Sequence, residues 1–505
     1  MIVDKICETA KAFSDKTAII FNEHHIRYGQ LDQIIHQLAN GLRRAGVQKG
    51  DRVALLMPNL PHFVFSYYAI MRGGAIVVPI NYMMEDNEFE EALKVVAPRA
   101  IIYWAGFKKH LTSYLAKAEP KPILISLGEA HEFAGFNLLE LIASFNSDWE
   151  AISQEPSETA IIQFTSGVTD PPKGVELSHE NLLASVSGTT QLFRFNENDV
   201  VAAALPLFFI FSQNFLLNSA LSRGCTVVLH PKIDYAQIAQ SIDEHHVSVL
   251  AGSPQFYDLL LKSAPDSMSG RSLKYCLSSW HPLPAELDER FQQRFGVPLL
   301  NCYSITETSG LVAGNHPSLD RKPGSLGLRL PDIDIQVHDE SGEPLDPNQV
   351  GEIAIQGKVV MKGYWNAAEN NQSTIKNGWY YTGDLGQLDE QGNIYLVCKK
   401  ADVIIKSGFP IYTTEIEQLL LQNPKVKEAV VLPIPHPNHK EDVQAFIALK
   451  DNEVATAEEI IEYCRNHMPV YKCPTIVRFF PVLPRTKMGR IFKRKLRELS
   501  NHSRH

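Results

Sequence analysis

Short, continuous apolar runs recur along the first three fifths of the chain, most of them followed by a helix-like stretch, and this alternation constrains the fold more than any other feature. The runs are Val53–Met57, Ala100–Tyr103, Ile123–Ser126, Ala160–Thr165, Val200–Leu205, Thr226–Leu229, Ser248–Ala251 and Leu299–Tyr303. A strand that is apolar on both faces must be covered on both faces, and strands separated by helices pair in parallel. The pattern therefore predicts an α/β protein with largely parallel sheets flanked by helices. An amphipathic helix precedes the first run: Leu31, Ile34, Ile35, Leu38 and Leu42 fall at helical spacing after Tyr28, and Gly46 suits the position just past a helix C-terminus.

A chain of 505 residues exceeds one domain. After Pro323 the pattern changes to period-two alternation between Gly, Pro and Asp turns, which predicts a small antiparallel β unit. The stretch from Gly386 to Val397 reads as a hairpin, and a mixture of helices and strands follows, ending in a basic run from Arg478 to Arg497. We place the boundary at residues 399–402, between an N-terminal domain of residues 1–398 and a smaller α+β C-terminal domain of residues 403–505. No internal repeat interrupts this plan.

Forty-eight Lys plus Arg against 57 Asp plus Glu leave a net charge of −9, which argues against nucleic acid as a partner recognised through bulk charge. The longest apolar run, from Val200 to Phe211, is broken by Pro206 and too short to span a bilayer, so no integral membrane segment is expected. The N-terminus carries scattered charges and no signal-type apolar block, which predicts a cytoplasmic protein. Seven cysteines without CxxC spacing fit buried thiols in a reducing compartment better than disulfides or zinc. The paired histidines His24-His25 and His245-His246 read as surface residues, and no HExxH or GxSxG pattern occurs.

Three segments could carry chemistry. Thr165-Ser166-Gly167-Val168-Thr169-Asp170-Pro171-Pro172-Lys173-Gly174 follows a buried strand. Its small and hydroxylated residues can turn consecutive N–H groups toward phosphate oxygens while Lys173 adds a point charge, although a plain surface turn would read the same way. Tyr303-Ser304-Ile305-Thr306-Glu307 ends another strand, where a carboxylate can hold Mg²⁺ or simply be solvated. In Tyr381-Thr382-Gly383-Asp384-Leu385 an Asp in a tight turn can accept ribose hydroxyls or form an Asx turn.

The order and spacing of these segments resemble the superfamily of adenylate-forming enzymes, which includes acyl-CoA synthetases, aryl-CoA ligases, luciferases and peptide-synthetase adenylation domains. The resemblance spans almost the whole chain. It includes Arg27-Tyr28-Gly29-Gln30-Leu31, Arg72-Gly73-Gly74-Ala75, Leu205-Pro206-Leu207-Phe208, Ala251-Gly252-Ser253-Pro254, Gly351-Glu352-Ile353, Gly363-Tyr364-Trp365 and Met468-Pro469-Val470-Tyr471. It implies that a carboxylic acid attacks the α-phosphorus of ATP to give an acyl-adenylate, and that a thiol, usually of coenzyme A, then displaces AMP. It also implies that the C-terminal domain is mobile and rotates about a hinge at residues 399–402. By position, Thr165, Ser166, Thr169 and Lys173 would cradle phosphates and Thr306 would touch the α-phosphate. Glu307 would hold Mg²⁺, and Tyr303, Asp384 and Lys399 would lie on the nucleotide side, Asp384 at the ribose.

Several positions depart from the family pattern. Arg490 stands where the family has a lysine bridging the acid's carboxylate and the α-phosphate, and its guanidinium is bulkier and bonds in a fixed fork. Lys487 is the other basic candidate for that role. Val168 and Asp170 replace a threonine and a glycine of the phosphate loop, and Asp170 would set a carboxylate before a polyanion. Phe209 replaces a common histidine, Ser279, Trp280, His281 and Ser304 replace small residues beside the acyl group and adenine, and Ala401 replaces a hinge Asp or Lys. The added bulk implies a small or aryl-sized acid.

Three functions follow. The first is an ATP-dependent acid–thiol ligase that uses coenzyme A. The second is a degenerate relative that binds nucleotide, acyl-adenylate or a partner with little adenylation. The third transfers the acyl group to a carrier protein or amine. Intact Lys173, Thr306, Glu307 and Asp384 favour the ligase.

Overall fold

The computed structural model describes all residues except 129–134, 151, 166–171, 407–408, 437–439, 486–490 and 502–505, and the side chains of 368–370, 440 and 501. Two large, mainly parallel sheets form the bulk of the protein. In the first, the strands Thr159–Phe164, Ile76–Pro79, Arg52–Leu56, Ala100–Trp104, Ile123–Leu127 and Phe136–Asn137 run parallel in that spatial order. The antiparallel strands Gly174–Ser178 and Gly363–Tyr364 close one edge. In the second, Leu299–Ile305, Tyr275–Ser278, Val249–Gly252, Val200–Ala203, Thr226–Leu229 and Thr17–Phe21 run parallel, with antiparallel strands at both edges. The eight apolar runs are all strands, with ends shifted by one or two residues. The last of them continues beyond Tyr303 to Ile305, so Ser304 also lies on the strand.

The predicted amphipathic helix forms over Tyr28–Arg44, burying Leu31, Ile35, Leu38 and Leu42, and Gly46 adopts φ 101° just beyond it. Between the two sheets lies the helix Pro61–Arg72, whose Phe63, Tyr67 and Tyr68 are fully buried. Facing it, Ser212–Asn218 forms a π-helical segment buried along its length. Its two asparagines bond across the core: Tyr68 donates to Asn218 Oδ1 at 2.7 Å, and Asn218 donates to Tyr67 at 3.0 Å and to Asn214 at 2.7 Å. Asn214 in turn donates to the Ser309 carbonyl at 2.6 Å, and Ser185 donates to the same oxygen at 3.0 Å. A hydrogen-bonded core of this kind has few alternative arrangements, so it fixes the turn that precedes Ser309.

The region after Pro323 is an antiparallel sheet of Ile333–His338, Gly351–Gly357, Trp379–Leu388 and Ile375–Lys376, with Ile394–Lys399 paired to Trp379–Leu388 as the expected hairpin. After the single 3-10 turn Lys400–Asp402 the chain enters a separate sheet of Ile404–Lys406, Phe409–Ile411, Val426–His436, Lys440–Leu449 and Ile476–Phe479. The helices Thr413–Gln422 and Ala457–His467 pack on it around Ile416, Leu420, Val431, Ile447 and Ile460. No helix among the described residues is long and apolar enough to cross a membrane, and all seven cysteines are buried and free.

Candidate active site

Parallel strands in an open sheet direct their following loops to one edge, the usual place for ligands. Thr165 follows one such strand end, Ser279 and Trp280 another, and Thr306 a third. Thr165 closes the base of its loop: its N–H donates to the Lys173 carbonyl and its Oγ1 accepts from the Lys173 N–H, both at 3.0 Å. Ser166 and Thr169, with Val168 and Asp170, lie outside the described residues, as do Lys487 and Arg490.

Lys173 Nζ sits 5.1 Å from the centre of the Tyr364 ring. The hydroxyl of Tyr364 donates to Glu307 Oε1 at 2.9 Å. Tyr364 is held there because Gly363–Tyr364 pairs with the strand that begins directly after Lys173. Glu307 is 9% exposed, in the 3-10 turn Thr306–Thr308, and Thr306 beside it is half-buried. Burial raises the Glu307 pKa above the ordinary carboxylate value, and the neighbouring Asp384 charge adds to the rise. A carboxylate short of positive charge fits a divalent cation, and Glu307 is the residue that would hold one.

Asp384 lies on the strand Trp379–Leu388, not in a tight turn as expected; the adjacent Gly383 supplies the positive φ of 68° that redirects the chain. Its carboxylate is 4% exposed. Oδ2 accepts a bond of 2.5 Å from the Tyr303 hydroxyl, and Oδ1 meets Lys399 Nζ at 2.5 Å. Lys399 is opposite because it is the cross-strand partner of Asp384 in the hairpin. Tyr303 is held well above its usual pKa by burial and then by Asp384, so it stays a hydroxyl donor. Glu352 fixes the approach to this pair, accepting from the Gly383 N–H at 3.0 Å and from Lys400 Nζ at 2.8 Å.

The expected acid-pocket residues are not equivalent. Trp280 is half-buried and adopts φ 71°, a left-handed backbone that a bulky residue enters only with strain of about 1–2 kcal/mol. Its ring lies 5.5 Å from Phe211 and 6.2 Å from Phe209, and Phe209 lies 4.6 Å from Phe208. Ser279 is instead buried beneath, beside Cys302, while His281 is exposed and Ser304 half-buried. Added bulk is thus concentrated in Trp280 and Phe209.

Sequence reasoning missed Tyr364 and Glu352 as site residues, although both stand in segments that carried the family resemblance. It also missed Cys7, Asp32 and His36, whose ligand atoms lie within 4.8 Å of one another on the helices Ile2–Ala12 and Tyr28–Arg44. Arg72 donates to His36 Nε2 at 3.1 Å and to Asp4 at 2.5 Å, so a cation already balances that cluster.

The family model described as AMP-binding enzyme matches residues 6–365, and that of the AMP-binding enzyme C-terminal domain matches residues 415–490. The chain is 31% identical to a long-chain-fatty-acid–CoA ligase of Bacillus subtilis over 99% of this chain and 94% of that protein. It is 29% identical to a feruloyl-CoA synthase of an Amycolatopsis species over 95% of both. The solved structure of ATP-bound MatB from Rhodopseudomonas palustris superposes with a TM-score of 0.89 over 99% of both chains at 27% identity. Apo MatB superposes with a TM-score of 0.76 at the same identity, over 98% of this chain and 99% of the other.

Proposed function

The chain belongs to the AMP-binding enzyme family and is an acid–thiol ligase of the acyl-CoA synthetase type, and on that premise we propose how its own residues divide the reaction and which acid it takes. The reaction has two displacements. An oxygen of the acid's carboxylate forms a bond to the α-phosphorus of ATP while the bond from that phosphorus to the β-phosphate bridging oxygen breaks, releasing pyrophosphate. The thiolate of coenzyme A then attacks the acyl carbon, and AMP leaves with the electron pair of the cleaved C–O bond.

The observation that carries the division of labour is that Lys173, Tyr364, Glu307, Tyr303, Asp384 and Lys399 form one linked polar face although they come from six separate strands, turns and loops. Asp384 offers its remaining lone pairs to the ribose hydroxyls, with Tyr303 and Lys399 holding the carboxylate in place. Lys173 and the loop from Thr165, including Ser166 and Thr169, take the β- and γ-phosphates. Thr306 donates to an α-phosphate oxygen. Glu307 would hold a magnesium ion, which when bound would supply positive charge to the phosphates and so favour departure of pyrophosphate. Arg490, or Lys487 in its place, arrives from the C-terminal domain to draw carboxylate and α-phosphate together. Residues 399–402 serve as the hinge.

A small or aryl-sized acid is the substrate, because Trp280 packs on Phe209 and Phe211 where an acyl chain would extend. A cytoplasmic setting agrees with seven unpaired thiols.

The test is acid-dependent ATP–pyrophosphate exchange over a panel of aryl, short-chain and long-chain acids, with thioester formation followed on adding coenzyme A. Exchange with benzoate-sized or shorter acids is expected. Absence of exchange with every acid would overturn the assignment of these roles, and faster exchange with a long-chain acid would overturn the size limit.

A further inference from the structure

The final helix, Lys493–Asn501, is tied at once to the 3-10 turn Lys400–Asp402, which crosses between the two units, and to the large body. Lys493 Nζ lies 2.7 Å from Asp402 Oδ2, and the Arg497 guanidinium lies 2.5 Å from Asp402 Oδ1. One helical turn separates these cations, so both reach the same carboxylate, which is 2% exposed. Arg494, between them, pairs with Glu88 at 2.7 Å. Its guanidinium also lies 5.1 Å from the Phe492 ring.

Glu88 belongs to the helix Asp86–Val96, in the large body, and that helix packs against the strand Gly174–Ser178, which begins directly after Lys173. The Glu88–Arg494 pair therefore joins the helix beside the phosphate loop to the helix that follows the segment bearing Lys487 and Arg490. Its two side chains are 16% and 28% exposed, shielded more than a typical surface ion pair and less than a core one. Arg490 stands three residues before this helix in the sequence.

We propose that Glu88 and Arg494 form a latch that holds the C-terminal domain in the arrangement used for adenylation, and that it must open before thiol transfer. Both are positioning residues: they act by placing Arg490 and touch neither acid nor nucleotide. Asp402, gripped by Lys493 and Arg497, transmits the latch to the turn Lys400–Asp402, whose Lys400 is held by Glu352. This inference rests on the division of labour proposed above.

The half-reactions separate the latch from a merely structural pair. Glu88→Gln and Arg494→Gln should each slow acid-dependent pyrophosphate release about fivefold, a size set by partly exposed ion pairs. Thiolysis of a supplied acyl-adenylate should stay within twofold of the parent or rise. The reversed pair, Glu88→Arg with Arg494→Glu, should recover most of the lost adenylation. Equal loss in both half-reactions, or no recovery on reversal, would overturn the latch. A second measurement does not depend on activity: nitroxide labels at the exposed positions Ser263→Cys and Glu458→Cys report the distance between the two units. One dominant distance is expected in the parent, a broadened distribution in Glu88→Gln, and a narrowed one in the reversed pair. An unchanged distribution in Glu88→Gln would overturn the latch, whereas absence of exchange in the parent would overturn the proposed roles alone.

Discussion

Asp384 and Asp402 are one hairpin apart, and both are buried aspartates with one partner on each oxygen, yet their partners come from different places. Asp384 is held by Tyr303 and Lys399, residues of sheets that belong to the large body, and Tyr303 sits on a strand anchored in the principal core. Asp402 is held by two cations of the last helix, which also reaches Glu88 across the molecule. The first arrangement stands ready before any ligand arrives. The second depends on where the C-terminal unit lies. The comparison teaches that one carboxylate is preorganised by core packing, while the other is held by a few charges from the last helix, which under the proposed latch can be made and broken.

The sharpest way to break the comparison is to remove each aspartate. Asp384→Ala leaves the buried Tyr303 hydroxyl and the half-exposed Lys399 ammonium without their shared acceptor, and a buried donor left unpaired costs about 1–3 kcal/mol. Pyrophosphate exchange should fall by about 100-fold, since about 1.4 kcal/mol corresponds to tenfold, and calorimetry should show AMP affinity falling with it. Asp402→Ala should lower exchange about tenfold and leave AMP affinity unchanged. Equal effects on AMP binding would show that the two regions are not distinct.

Next in size is Arg490, the side chain we propose the C-terminal domain delivers. Arg490→Lys should accelerate acid-dependent pyrophosphate release by on the order of 100-fold, because small misplacements of an in-line displacement carry penalties of that order. Thiolysis of a supplied adenylate should not change. If Arg490→Lys is instead neutral while Lys487→Ala abolishes exchange, Lys487 is the working amine.

A smaller effect sharpens the preorganised half. Burial raises the pKa of Glu307, so a proton competes with magnesium at a higher pH than for an ordinary carboxylate. Magnesium-dependent nucleotide binding should weaken by up to about tenfold for each pH unit below that raised pKa. Glu307→Gln should abolish this pH dependence, and magnesium titrations at several pH values would reveal it.

The smallest effect concerns the stability of the large body. Burial lowers His179 and His230 from the ordinary 6.5 to about 4. Between those values the unfolded chain binds protons that the folded one refuses, so the stability these groups confer is complete above pH 6.5 and is lost as pH falls toward 4. Scanning calorimetry should show the melting temperature dropping by several degrees over that window. Salt should act on the other region, loosening the Glu88–Arg494 contact and broadening the spin-label distances.

The large body was written legibly in the sequence. Eight apolar runs and one amphipathic helix gave their elements because burial on both faces of a parallel sheet demands uninterrupted apolar residues, a local property of the chain. The family resemblance pointed to Lys173, Thr306, Glu307 and Asp384, and the fold brings Lys173, Glu307 and Asp384 into one linked face. Where the reading fell short, the deciding partners lay far away in sequence. Tyr303 reaches Asp384 only because two sheets abut, and Tyr364 joins Lys173 to Glu307 only because a two-residue strand closes a sheet edge. Trp280, Ser279 and His281 look alike as added bulk, but one packs on aromatic rings, one is buried beneath the surface and one faces solvent. Periodicity and motif order thus determined the elements, the fold class and the kind of chemistry. Tertiary structure alone decided which carboxylate is desolvated, which cation answers it and which helix spans the two units, because burial and charge pairing depend on distances that no local spacing encodes.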